Sequence, residues 1–247
     1  MKYISIIIPT YNDERIIKNK IIRLIKRLKK IKIQYEIIII NDGSNDSTKE
    51  KIQSIQKKLN CISLVNNTSN QGKSFAIQKG IKKSKYNHVI LIDSDLPYFS
   101  RFITVINLLK KKYDFVYINR RHHKSKIINK NFSLYKIFRF FIGYLISLLL
   151  KIFISLDTKS IDTQAGLKGF KKIKKIKSYR FISKKFFLDI ELIYLYSKLK
   201  KKIISVPVSY MISKNSTINI FSFKKNFLIL CELLKVITSI ILEKKLS

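Results

Sequence analysis

Tryptophan is absent from the 247 residues, and cysteine, proline and glycine are scarce, at two, three and six residues. So little Pro and Gly argues against a linker-rich or disordered chain. Cys61 and Cys231 are too few and too far apart for a disulfide framework or a zinc site. Each lies in or beside an apolar stretch, which predicts core thiols and a reducing compartment. Long hydrophobic runs are missing too. The best candidates are FFIGYLISLLL (140–150), bounded by Arg139 and Lys151, and a broken apolar segment over 227–242. Both fall short of the ~20 apolar residues of a membrane span. The start, MKYISIIIPTYN, lacks the charged head, apolar middle and small-residue cleavage site of a signal peptide.

Acidic residues are also few. Fifteen Asp+Glu stand against 51 Lys+Arg, a net charge of +36 spread along the whole chain. Such a surface suits anionic partners: nucleic acid, anionic lipid or phosphorylated substrates. Part of the excess has a compositional source, because Lys, Ile and Asn share AT-rich codons.

What is present is a regular alternation. The apolar runs YISIII (3–8), YEIIII (35–40), CISLV (61–65), HVILI (88–92) and FVYI (115–118) read as strands. A helix-length segment follows each of the first four. A further helix near 185–200 and a strand near 202–208 complete the pattern. This is an α/β chain with a mostly parallel sheet flanked by helices. Ligands bind such sheets at the carboxyl ends of the strands, where the strand order reverses. That rule selects Pro9, Tyr11, Asn12 and Asp13 after the first strand, NDGSNDST (41–48) after the second, and Asp93 and Asp95 after the fourth.

Two segments are amphipathic. NFSLYKIFRFFIGYLISLLLKIFISL (131–156) is apolar and aromatic with interspersed cations, and suits either core packing or an interfacial helix. The last segment, about 223–244, has a narrow polar stripe of Glu232, Lys235, Ser239 and Glu243. A helix this apolar needs a partner: the domain, a second copy of the chain, or a membrane. The expected division is a domain over 1–222 and a C-terminal amphipathic helix over 223–247.

The stretch VILIDSDLPY (89–98) carries two carboxylates one residue apart. By itself it fits a helix cap or a solvent-facing loop as well as a ligand site. His122 and His123 are adjacent and should face apart. With His88 the only other histidine, a His metal site is excluded.

SIIIPTYNDE (5–14), NDGSNDST (41–48), NQGKSFAIQKG (70–80) and LIDSDLP (91–97), in that order and spacing, resemble the nucleotide-sugar domain of glycosyltransferase family 2, which has the GT-A fold. DTQAGLKGF (162–170), FFLDIELIY (186–194) and VPVSY (206–210) resemble one branch of it. That branch moves a hexose from a nucleotide sugar to a polyprenyl or dolichyl phosphate, and the DTQ string most resembles its dolichyl-phosphate β-glucosyltransferases. The resemblance runs from residue 3 to about 220.

It implies roles. Asp93 would lie near the nucleotide ribose, and Asp95 would bind the metal, Mg2+ or Mn2+. Pro9, Tyr11 and Asp13 would form the nucleotide wall. Asp42 would meet the base, although NDGS is also good turn sequence. Lys73 would approach the base or phosphates, unless it is a solvated helix lysine. Arg120 would face phosphates, with Arg121 a less favoured substitute. Arg139, Asp162 and Gln164 would position the acceptor. Asp189 and Glu191 stand where the wider family has a candidate base. A phosphate acceptor is already mostly dianionic at pH 7 and scarcely needs one. Two departures from the pattern are Pro97, where a metal-binding Gln is common, and Asp13, where Glu is usual. Lys214 would stand in for a cation missing at Ser216 and Thr217.

The expected function is inverting transfer of a hexose, UDP-glucose favoured as donor, to a polyprenyl phosphate. The expected setting is the cytoplasmic face of a membrane, held peripherally, with a homo-oligomer through the C-terminal helix as an option. A saccharide acceptor is the alternative, and would require Asp189 or Glu191 as base. A nucleic-acid-binding protein is a remote one: no RNA-binding motif is visible, and three carboxylate clusters would repel a phosphate backbone.

Overall fold

The computed structural model describes residues 1–128, 162, 164–176, 178–211 and 223–245. Within them, β1 (Tyr3–Thr10), β2 (Gln34–Asn41), β3 (Ile62–Asn66), β4 (His88–Ile92) and β5 (Phe115–Asn119) fall where the apolar runs place them. They alternate with α1 (Ile17–Lys29), α2 (Thr48–Gln56), α3 (Lys73–Lys83) and α4 (Phe102–Lys110). After these come the short β6 (Lys126–Ile127), then β7 (Leu167–Lys171), α5 (Leu188–Lys198), β8 (Ile203–Pro207), β9 (Ser209–Tyr210) and α6 (Phe223–Lys245).

The main sheet has seven strands in the order β3-β2-β1-β4-β7-β5-β8. All neighbours are parallel except β7, which runs antiparallel to both β4 and β5. The sequence reading missed β7. Its five residues, LKGFK, hold one glycine and two lysines and show no strand alternation. Its place is decided by the open edges of β4 and β5 on either side.

Side-chain alternation then builds two cores. Ile4, Ile6 and Ile8 of β1, Ile37 and Ile39 of β2, and Ile90 and Ile92 of β4 pack under α1, α2 and α4. The intervening Ile7, Ile38, Ile40, Val89 and Leu91 pack under α3, α5 and α6. Both faces are covered, which is why these strands read as unbroken apolar runs.

The C-terminal helix α6 is part of the second core through Leu233, Val236, Ile237 and Ile240. The polar stripe does not form one solvent face. Glu243 accepts from the Tyr179 hydroxyl (3.1 Å), and Glu232 turns inward onto the domain. The opposite side exposes Phe227, Leu228, Leu230, Leu234 and Leu242. Among the described residues, no helix is long and apolar enough to cross a membrane. Two further corrections concern small features. Cys61 and Cys231 are only half-buried, Cys61 at the margin of the first core. The rings of His122 and His123 stack with centroids 4.3 Å apart instead of facing apart, and burial first, then His123, lowers the His122 pKa. The stretch 131–156 with Arg139, and Lys214, Ser216 and Thr217, lie outside the described residues.

Candidate active site

The strand order reverses between β1 and β4, and their carboxyl ends, with that of β2, share one edge of the sheet. The loops after β1 and β2 interlock there. The Asn12 amide donates to Ser44 Oγ (2.9 Å) and the Asn45 amide to Asn12 Oδ1 (2.9 Å). The Asp13 amide donates to Thr48 Oγ1 (2.8 Å), and the Thr10 hydroxyl donates to Asp13 Oδ2 (2.6 Å). Pro9 is buried in β1, level with Ile40 and beyond the last residue paired with β4, so its missing N–H leaves that ladder intact. Tyr11 projects to solvent at the same edge.

Asp42 is buried and accepts three hydrogen bonds. Oδ1 accepts from Asn67 Nδ2 (2.7 Å) and the Gln71 amide (3.0 Å), and Oδ2 accepts from the Gly72 amide (2.8 Å). It therefore shapes the loop leading into α3, and only the remaining capacity of Oδ2 is left for a base. Gly72 has φ +103°, and a Cβ there would lie 2.6 Å from the Lys184 carbonyl oxygen, so this approach requires glycine.

Lys73, the first residue of α3, donates from Nζ to Asp93 Oδ2 at 2.7 Å. Burial works against its charge, but Asp93, Asp189 and Asp95 outweigh that, and its pKa stands above that of a free lysine. Its side chain keeps 37% of its surface accessible, so the pair is part-exposed at this edge. The Asp93 amide donates to the Gly166 carbonyl (3.0 Å), which ties the loop after β4 to the residue preceding β7. Leu96 and Tyr98 then take φ +54° and +55°. Together with Asn12 (φ +54°), they put three strained non-glycine residues on this single edge, a concentration that marks functional loops.

Asp95 is exposed and, among the described residues, has no ion-pair partner. Partial loss of hydration at its carboxyl first, then the charge of Asp93, pushes it up, and Lys73 offsets part of this. Asp189, buried at the start of α5, lies 2.8 Å from Lys168 Nζ, off the hydrogen-bonding direction, so the contact is a charge pair. Three carboxylates thus face two directly opposed ammonium groups, and the charge left over sits on Asp95. This donor set suits a divalent cation held by a single carboxylate and completed by substrate phosphates, the usual manner of Mg2+. Pro97 adds no ligand.

At the end of β5, Arg120 grips Asp162 with a fork: Nε to Oδ2 (2.5 Å) and Nη2 to Oδ1 (2.8 Å), with its own amide also on Oδ2 (3.0 Å). Burial opposes the charge on each, yet each holds the other ionised, the arginine raised and the aspartate lowered. Tyr98 and Tyr210 lie beside the guanidinium. The Gln164 amide donates to Asp162 Oδ1 (3.3 Å), so Asp162 is held in turn by the residue two positions on. Glu191 is placed apart. It is buried and accepts from the amides of Ile182 (2.7 Å) and Ser183 (2.9 Å), and burial first pushes its carboxyl up to about 7.

The sequence reading assigned no role to Gly166, although the glycine stands in the DTQAG string. A Cβ there would overlap the Asp93 carboxylate and lie 2.8 Å from the Pro97 ring. Lys168 and Glu232 were also missed, since a single lysine in a strand or a glutamate in a helix carries no signal of its own.

A model of the family described as Glycosyl transferase family 2 matches residues 5–181. The chain belongs to this family. A dolichyl-phosphate beta-glucosyltransferase of Dictyostelium discoideum is 30% identical over 236 residues, 89% of this chain and 70% of that protein. An uncharacterized glycosyltransferase of Synechocystis sp. is 36% identical over 131 residues, which cover 53% of this chain and 41% of its own length. Against the latter the match spans less than half of the relative. Among solved structures, glucosyl-3-phosphoglycerate synthase of Mycobacterium tuberculosis, in complex with Mn2+, UDP-glucose and phosphoglyceric acid, superposes with a TM-score of 0.65 at 17% identity. It covers 96% of this chain and 80% of that one, a likeness of GT-A fold.

Proposed function

We propose that the protein transfers a hexose, glucose favoured, from a UDP- or GDP-sugar to a polyprenyl phosphate, with inversion at the anomeric carbon. The observation that carries this reading is the convergence of Asp13, Asp42, Lys73, Asp93 and Asp95 on one sheet edge, facing Arg120 held by Asp162. The Dictyostelium relative, named for transfer to dolichyl phosphate, supports the acceptor class.

The loops after β1 and β2, braced on each other, hold the nucleotide between Tyr11 and Asp42. Asp93, fixed by Lys73 and Gly166, receives the ribose. Asp95 would hold a divalent cation, Mg2+ or Mn2+, which when bound offsets the charge of the departing diphosphate. Arg120, pre-oriented by Asp162, keeps its outer donors toward the acceptor phosphate and holds it in line. Arg139 joins it in that role. Among the described residues, Asp189 is paired with Lys168 and Glu191 is engaged by two amides. Both carboxylates already have partners within the chain, which favours a phosphate acceptor over a saccharide hydroxyl.

The exposed apolar side of α6 and the segment 131–156 rest on the cytoplasmic leaflet, peripherally, and receive the lipid chain. Anionic head groups attract each nearby Lys or Arg by roughly 1 kcal/mol. The test is incubation of purified protein with labelled nucleotide sugars, polyprenyl phosphate and Mg2+ or Mn2+, followed by extraction into organic solvent. A lipid-linked sugar is expected. Its absence with every donor overturns the lipid branch.

A further inference from the structure

Five consecutive backbone N–H groups, Ile182 to Phe186, are directed at two carboxylates on two different helices. Glu191 of α5 takes the first two (2.7 and 2.9 Å). Glu232 of α6 takes the next three. Its Oε1 accepts from the amides of Lys184 (2.7 Å) and Lys185 (2.6 Å) and lies 3.1 Å from the Ser183 hydroxyl, and its Oε2 accepts from Phe186 (3.3 Å).

The same peptide units touch the donor site from their other side. The carbonyl of Lys185 accepts from the Ser74 amide (3.0 Å), and that of Lys184 from the Phe75 amide (2.9 Å). These are first-turn donors of α3, which has no side-chain cap. The buried hydroxyls of Ser183 and Ser74 are 3.0 Å apart, and Gln78 Nε2 donates to the Ser183 carbonyl (2.7 Å). The Lys184 carbonyl is also the atom that excludes a side chain at Gly72. Between Gly72 and Ser74 stands Lys73, bonded to Asp93.

We propose that Glu232 is a positioning residue for the nucleotide: from the C-terminal helix it fixes, through residues 184–186, the first turn of α3 and with it the Lys73–Asp93 pair. The inference rests on the reading of that pair as part of the donor site. The physics is a relay of peptide groups. An N–H bonded to a carboxylate polarises its peptide, and the carbonyl on the far side becomes a stronger acceptor. Glu191 holds only the amides of Ile182 and Ser183, whose neighbouring carbonyls do not cap α3. Glu232 holds the two units that do. Without its carboxylate, three N–H groups lose their acceptor, the loop relaxes, and Lys73 loses its fixed origin. The C-terminal helix is then part of the donor site and no mere appendage.

The test measures UDP binding by titration calorimetry, in Mg2+, on the full chain, with GDP as the second nucleotide. Four proteins are compared: wild type, Glu232→Ala, Glu232→Gln and Val236→Ala. Glu232→Ala is expected to weaken binding by roughly tenfold, within the usual range for coupled sites. Glu232→Gln, whose amide oxygen still accepts from Lys184 and Lys185, should recover most of it. Val236→Ala removes buried surface from the same helix; it should lower the melting temperature and leave nucleotide affinity within about twofold, since the hydrogen bonds to the loop come from Glu232 and remain. Unchanged binding in Glu232→Ala overturns the inference and leaves the donor reading standing. Wild-type protein that binds neither nucleotide overturns the donor reading and the inference together. Should Glu232→Ala not fold, amide exchange on the wild type decides. UDP is expected to slow exchange at residues 184–186, and unchanged rates there overturn the proposal.

Discussion

Lys73 Nζ and Asp93 Oδ2 lie 2.7 Å apart and join the first residue of α3 to the loop after β4. The pair is part-exposed at this sheet edge, so it sets the position of both groups more than it stabilises the fold. Replacing Lys73 with Met removes a charge-assisted hydrogen bond, typically worth roughly 1.5–3 kcal/mol, with the lower end fitting a pair open to solvent. UDP affinity should fall by about tenfold, as read by titration. Lys73 also holds the Asp95 carboxyl down against partial loss of hydration and Asp93. Its loss should let Asp95 protonate at higher pH, so the acid limb of the rate profile should move to higher pH.

Gly166→Ala should damage the same point from the other side. The new Cβ overlaps the Asp93 carboxylate and meets the Pro97 ring. Overpacking of this kind typically costs about 1–3 kcal/mol. A lower melting temperature and a raised KM for the donor are expected, and unchanged values in both would refute the contact.

Asp95→Asn separates chemistry from stability. The carboxylate has no direct ion-pair partner among the described residues, and partial loss of hydration opposes its charge. Its neutral replacement should leave the melting temperature equal or higher. Loss of preorganised charge at a departing group typically costs on the order of 10²–10³ in kcat. The stabilisation given by UDP with Mn2+ in a thermal shift should also disappear. A variant that keeps its turnover would dismiss Asp95 as the cation's anchor.

Arg120→Lys tests the fork on Asp162. A lysine ammonium cannot replace two parallel N–H bonds to one carboxylate, nor hold a fixed plane toward a phosphate. KM for the lipid phosphate should rise more than tenfold, an effect of roughly 1.4 kcal/mol or more. Nucleotide binding should change little. The reverse pattern, with donor affinity lost and acceptor KM kept, would move Arg120 to the donor side.

Glu191 gives a pH dependence of stability. Burial raises its carboxyl to about 7, from 4.5 in the free side chain. A raised folded-state pKa contributes stability that is fully present below the unfolded value and lost as pH rises through the folded one. Stability should therefore decline between about pH 4.5 and 7, by on the order of 3 kcal/mol. Glu191→Gln should flatten this part of the profile in urea titrations at pH 5 and 8. The comparison cancels the histidines, which are common to both proteins. Equal slopes in the two would dismiss the buried glutamate as the source.

Much of the site was legible before folding because the physics there is local. A strand run ends, a turn begins, and the polar residues at that junction are written next to each other, as in DSD at 93–95 and NDGS at 41–44. The tasks of single polar residues were not legible. Asp42 was expected to meet a base, and its further bonds to three donors of its own chain came only with the fold. Asp189 and Glu191, two residues apart, were both expected at the place of the family's candidate base. On a helix that spacing points them different ways, one toward Lys168 and one toward the turn at Ile182.

The amino-acid order alone decided the parallel α/β arrangement, since strands that bury both faces and alternate with helices have few other ways to cover themselves. It also decided which edge carries the polar loops. Only the tertiary structure decided that β7 inserts between β4 and β5, that Gly166 backs Asp93, and that Glu232 reaches the loop beside Lys73. Those contacts join residues 47 to 83 positions apart. Nothing in either neighbourhood encodes the partner, because their energy exists only once the chain between them has closed.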